Sequence, residues 1–128
     1  MSGLGEALED LVDALKEVLA GDPASVWDHV PEDLTGRDVV VVPASNFLLP
    51  SETFDPREYV ATVEVYALAG GEDNETVTRA VCDLLALAAP ALADADYAIS
   101  STSRLLAYQT STWTAYGISI TCSRHIIL

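Results

Sequence analysis

Two spacings of apolar residues organise this 128-residue chain. Leu4, Ala7, Leu8, Leu11, Val12, Leu15, Val18 and Leu19 recur at steps of three and four, and Glu6, Glu9, Asp10, Asp13 and Glu17 fill the other side. That pattern predicts an amphipathic helix of about five turns. Gly21 and Pro23, in AGDP, end it, because glycine suits the cap and proline cannot continue the helix. A second stripe, Val77, Val81, Leu84, Leu85, Ala88 and Leu92, predicts a second helix. Asp73 or Asn74 starts it, as short polar side chains accept from the unpaired N–H groups of a first turn. Pro90 is expected to end or bend it.

The other spacing is two. In REYVATVEVYALAGG, Tyr59, Ala61, Val63 and Val65 alternate with Glu58, Val60, Thr62 and Glu64, which predicts a half-buried strand stopped by Gly70-Gly71. In TWTAYGISITCSRHII, Tyr116, Ile118, Ile120 and Cys122 point one way, and Ala115, Gly117, Ser119, Thr121 and Ser123 the other. DYAISSTSRLLAYQ, from Asp96, reads as one strand joined to it by a short turn around QTST, forming an antiparallel hairpin. DVVVVPAS reads as a short strand buried on both faces. Residues 22–37 read as a polar loop tacked down by Val26, Trp27 and Leu34.

These elements run α-β-β-α-β-β. The expected fold is α+β: one domain over residues 1–128, with two helices packed on one face of a mostly antiparallel four-stranded sheet. The opposite face should carry small polar residues (Thr62, Ser101 or Thr102, Ser119, Thr121, Ser123) and be wet or covered by another molecule.

NFLLPSETF, residues 46–54, reads as a loop between two strands, yet it holds two Phe and two Leu. A solvated loop needs no such side chains. Either Phe47 and Leu49 fold back over the end of the four-Val strand, or Leu48, Leu49 and Phe54 anchor another subunit. SRHIIL, residues 123–128, poses the same choice. Ile126 and Ile127 extend the last strand over this chain's own core, or the strand runs on and Ile126, Ile127 and Leu128 pack on a neighbour.

The net charge of −14 arises entirely before residue 76, since Asp83, Asp94 and Asp96 are balanced by Arg79, Arg104 and Arg124. Such a chain will not grip a phosphate backbone, which requires Lys and Arg to displace counterions. The longest apolar run, Leu84 to Leu92, is shorter than the roughly 20 residues of a spanning helix. With no signal-peptide pattern at MSGLGEALEDL, a soluble protein made in a cytoplasm is expected. Cys82 and Cys122 read as buried free thiols.

Little supports catalysis. His29 and His125 are the only histidines, and Ser123 beside His125 has no Gly-x-Ser-x-Gly elbow. AGGED, before the second helix, lacks the spaced glycines and lysine of a phosphate loop and places acids where phosphate would sit. Asp94 and Asp96 solvate a turn. No catalytic residue, metal or cofactor is expected.

The element order resembles the tail terminator family of long-tailed bacteriophages. The resemblance rests on an N-terminal helix, the VVVVP strand, a long loop, REYVATVEVYALAGGEDNETVTRAVCDLL running from strand into helix, and the long final strand WTAYGISITCSRHI. It implies a structural virion protein of the tail or neck, made in the host cytoplasm. Such subunits form a hexameric ring on the tail tube, end its growth and meet the head connector. The implied partners are other copies of the chain, the tail tube protein and the connector, with no membrane. On that reading Phe47, Leu48, Leu49, Phe54, Ile126, Ile127 and Leu128 are interface residues. Glu6, Glu9, Asp10, Asp13, Glu17, Glu52 and Asp55 form an acidic surface past which DNA slides. The alternatives are a head-completion protein of the same neck, or a cellular α+β binding module or small enzyme using the polar sheet face.

Overall fold

The computed structural model describes residues 3–31, 34–51, 56–70, 74–109 and 114–128. The helical stripes form α1 (Gly3–Val18) and α2 (Asn74–Asp94). Among the described residues the strands are β1 (Ser25–Trp27) and β2 (Arg37–Pro50), then β3 (Glu58–Gly70), β4 (Ala98–Thr102), β5 (Leu106–Gln109) and β6 (Thr114–Ile127).

This overturns the expected four-stranded sheet with two helices packed on one face. The molecule is dominated by one mixed sheet, six-stranded among the described residues, in the order β1-β2-β3-β6-β4, with β5 also paired to β6. The weight of the fold lies in the sheet, not in the helices. The sheet is mixed because β1, inside the expected polar loop, pairs parallel with β2, Val26 opposite Val39. The strand expected from Asp96 is two strands, β4 and β5, set in line along β6. The apolar loop is also strand at its start: β2 runs through Asn46 to Pro50 after a register shift between Pro43 and Leu48.

The main core lies where α1 and α2 meet the sheet. Leu11 and Leu15 of α1 and Val77, Val81, Leu84, Ala88 and Leu92 of α2 pack on Val39, Val41, Val63, Val65, Ile120 and Cys122. Strand register makes this possible, since Val41 pairs with Val65 and Val65 with Ile120, so the three project to one side. The opposite side carries Glu64, Thr62, Ser119 and Thr121 as expected, but also buried Val40 and Leu68. Gly117 is required there: a Cβ on it would run into the carbonyl oxygen of Ala67 and the side chain of Leu68.

Helix ends follow local chemistry. Asp22 closes α1 by accepting from its neighbour's amide, Ala24 N, at 2.9 Å, and from Arg37 at 3.0 and 2.7 Å, tying the turn to β2. Arg37 thereby holds the Asp22 carboxyl below the usual carboxylate range. Pro90 does not end α2. It lies on the exposed side, where water meets the carbonyl a proline leaves unpaired. The helix ends at Asp94, and just beyond it Asp96, with a left-handed φ of 66°, lets Tyr97 N donate to Leu92 O at 2.8 Å. Over Glu75–Asp94, α2 is long and apolar enough to cross a membrane by length and composition alone, a test that core helices also pass. The expectation for the thiols is half corrected. Cys122 is buried, its thiol pushed up to about 12 by desolvation, whereas Cys82 is exposed on α2.

Candidate functional site

β1 pairs with β2 only as far as Val40, and β4 leaves β6 at Ser123. Beyond those points β2, β3 and β6 continue together as a three-stranded end. Leu48, Leu49 and Pro50 pair with Ala61, Val60 and Tyr59, and Tyr59 and Glu58 pair with Ile126 and Ile127. Among the described residues neither outer edge of this end has a strand partner. The two apolar segments singled out in the sequence thus flank the same strand.

Their side chains divide between two faces. Toward α1, Phe47, Leu48 and Tyr59 pack around buried Ala7, Ala61 and Ile126, forming a small second cluster. Leu48 and Ile126 therefore serve this chain's own packing, and β6, though it runs past β4, stays paired with β3 to its last residue, Ile127 opposite Glu58. On the other face Leu49 is 47% exposed and Ile127 61%, with Val60 half-buried between their strands. Leu128, 43% exposed, is tied down by its amide, which donates to Arg57 O at 2.9 Å. His125 Nδ1 donates to Glu58 Oε1 at 2.8 Å on this face, bracing β6 against β3. The result is a hydrogen-bonded surface that presents aliphatic side chains to solvent around the His125–Glu58 pair. Phe54, Glu52 and Asp55 lie outside the described residues.

The acids assigned to a DNA-repelling surface, Glu6, Glu9, Asp10, Asp13 and Glu17, are all exposed along α1. Asp10 is engaged by Arg124 Nη1 at 3.2 Å, which fastens α1 to β6.

The groups weighed for chemistry sit apart. His29 pairs with Asp28 at 2.7 Å at the surface. His125 turns to Glu58, and Asp96 lies just beyond the end of α2. Tyr97, its hydroxyl buried without a hydrogen-bond partner, is pushed up to about 12 by desolvation and belongs to the main core. Among the described residues no three His, Cys, Asp or Glu side chains gather closely enough to hold a metal ion.

Sequence reasoning missed one polar centre. Asp38 is fully buried and accepts from Trp27 Nε1 at 2.8 Å, Thr35 N at 3.0 Å, Thr35 Oγ1 at 3.0 Å and Gly36 N at 3.1 Å. Gly36 reaches it with a φ of 113°, a conformation that favours glycine. A carboxylate so satisfied fixes β1 and its loop against β2. An acid directly before four valines was the available signal.

Compared with known proteins, the chain matches no family model and no curated protein.

Proposed function

We propose that this chain is a self-assembling structural subunit of the tail-terminator kind, forming a ring that caps a phage tail tube and meets the head connector. The observation that carries the proposal is the open end of the sheet. There, Leu49 and Ile127 stand exposed on strands whose backbones are held by hydrogen bonds, and Leu128 stands exposed just beyond β6. Aliphatic side chains fixed in place lose little entropy on docking, so they suit a subunit interface better than a mobile loop would. The two open strand edges beside them are a second supporting feature, because unpaired N–H and C=O groups favour pairing with another chain. The acidic face of α1 adds a surface from which DNA is repelled.

Mass photometry and negative-stain electron microscopy of the purified chain, alone and with tail tubes, test the reading. Rings in solution or at tube ends support it. A monomer at every concentration that also fails to decorate or shorten tubes refutes it.

A further inference from the structure

β4 and β5 are separated by a bulge that makes a knob. Between the pairs Thr102↔Ile120 and Leu106↔Gly117, three residues, Ser103, Arg104 and Leu105, face only Ile118 and Ser119 of β6. Ser103 completes the ladder alone: its amide donates to Ser119 O at 2.9 Å and its Oγ accepts from Ser119 N at 2.9 Å. Arg104 and Leu105 are thereby thrust out from the sheet edge. Leu105 is 41% exposed, and among the described residues Arg104 has no ion-pair partner. Bulges at edges commonly re-aim side chains in this way.

The opposite edge holds a groove of about 480 Å³ between α1 and β2. Leu8, Val12 and Val41 give it an apolar floor. Glu9, Asp13 and Asp28 line its rim, outnumbering the single cation there, Lys16. Asp28 is paired with His29, whereas Glu9 and Asp13 have no ion-pair partner among the described residues. Knob and groove cannot meet within one molecule, because β3 and β6 stand between β2 and the β4–β5 edge. Three strand spacings of ~4.8 Å separate them by roughly 14 Å.

We propose that Arg104 and Leu105 of one copy seat in the α1–β2 groove of the next. Leu105 covers the apolar floor and Arg104 meets Glu9 and Asp13. This rests on the self-assembly reading above and names a head-to-tail joint for it, the kind of contact that closes into a ring when its rotation permits. It also gives Glu9 and Asp13 a role beyond repelling DNA: an unpaired acidic rim selects a basic knob and rejects like charge.

Two variants test the joint, each of exposed residues so that folding is preserved, with circular dichroism as the check. R104E/L105S removes the knob and keeps the groove. E9K/D13K reverses the rim and keeps the knob. By sedimentation velocity, each variant alone should associate at least tenfold more weakly than the unaltered chain, and an equimolar mixture should regain association, since the intact knob of one variant meets the intact groove of the other. An unaltered chain that assembles while both variants assemble equally well overturns the joint and leaves self-assembly standing. An unaltered chain that stays monomeric at all concentrations, with and without tail tubes, overturns self-assembly and the joint together.

Discussion

The same three strands behave differently at their two ends. Where β2, β3 and β6 pass beneath the helices, alternation sends Val41, Val65 and Ile120 into a core that excludes water on that side. Some residues farther along, the same alternation sends Tyr59 and Ile126 against Ala7, at the start of α1, while Leu49 and Ile127 on the reverse face meet solvent. Period two determines which way a side chain points. It does not determine what covers it. That depends on which face the helices cover and where neighbouring strands leave, and at the open end the reverse face has neither cover among the described residues.

Two substitutions press on this contrast. Leu84→Ala, in the fully buried helix–sheet core, should cost about 2–5 kcal/mol, from lost transfer energy and the cavity left behind. Chemical denaturation measures it. Ile126→Ala removes a similar side chain from the thin cluster, where neighbours can relax into the space, and should cost about 2 kcal/mol, at the low end of that range. Equal losses at the two positions would mean that the open end is packed as firmly as the core.

The Asp22–Arg37 pair offers a smaller, pH-dependent effect away from both regions. Asp22 is lowered in the folded state, so its stabilisation is fully present above the unfolded value near 3.8 and is lost as pH falls through the folded value below it. Arg37→Met should lower stability by about 1.5 kcal/mol at neutral pH. The gap between the two proteins should narrow only below about pH 4, as read from thermal midpoints across a pH series. A gap that stays constant down to pH 2 would mean that Arg37 acts by packing alone.

Much of the frame was legible in the sequence, for definite reasons. α1, α2, β3 and β6 are long and periodic, and the period selects most of the buried residues of the helices, of β3 and of β6 at Ile120 and Cys122, whereas Leu68, Ala115 and Gly117 are buried on the face expected to be wet and Tyr116 and Ile118 are only half-buried. β1 has three residues, too few to show alternation, and its parallel pairing depends on Asp38 fixing the loop that leads into β2. Residues 46–50 looked like loop because Pro43 and the extra residues of the register shift interrupt the alternation, although pairing with β3 resumes at Leu48. The division of β4 from β5 depends on Ser103 replacing a strand residue with its own hydroxyl, which composition does not reveal. At the candidate surface, the apolar character of both segments was visible from the start. Their meeting on either side of β3 was not, because it follows from register. Nor was the split that gives Leu48 and Ile126 to the interior and Leu49 and Ile127 to solvent.

The central claim is that the exposed aliphatic face of the open end exists for contact between subunits. Leu49→Ser combined with Ile127→Ser tests it most directly, with thermal midpoint and sedimentation measured on the same samples. Both side chains are solvent-exposed, so folding stability should change by no more than about 0.5 kcal/mol per site while assembly is lost. A midpoint that falls as far as that of Leu84→Ala, or an assembly that forms unchanged, would contradict the account.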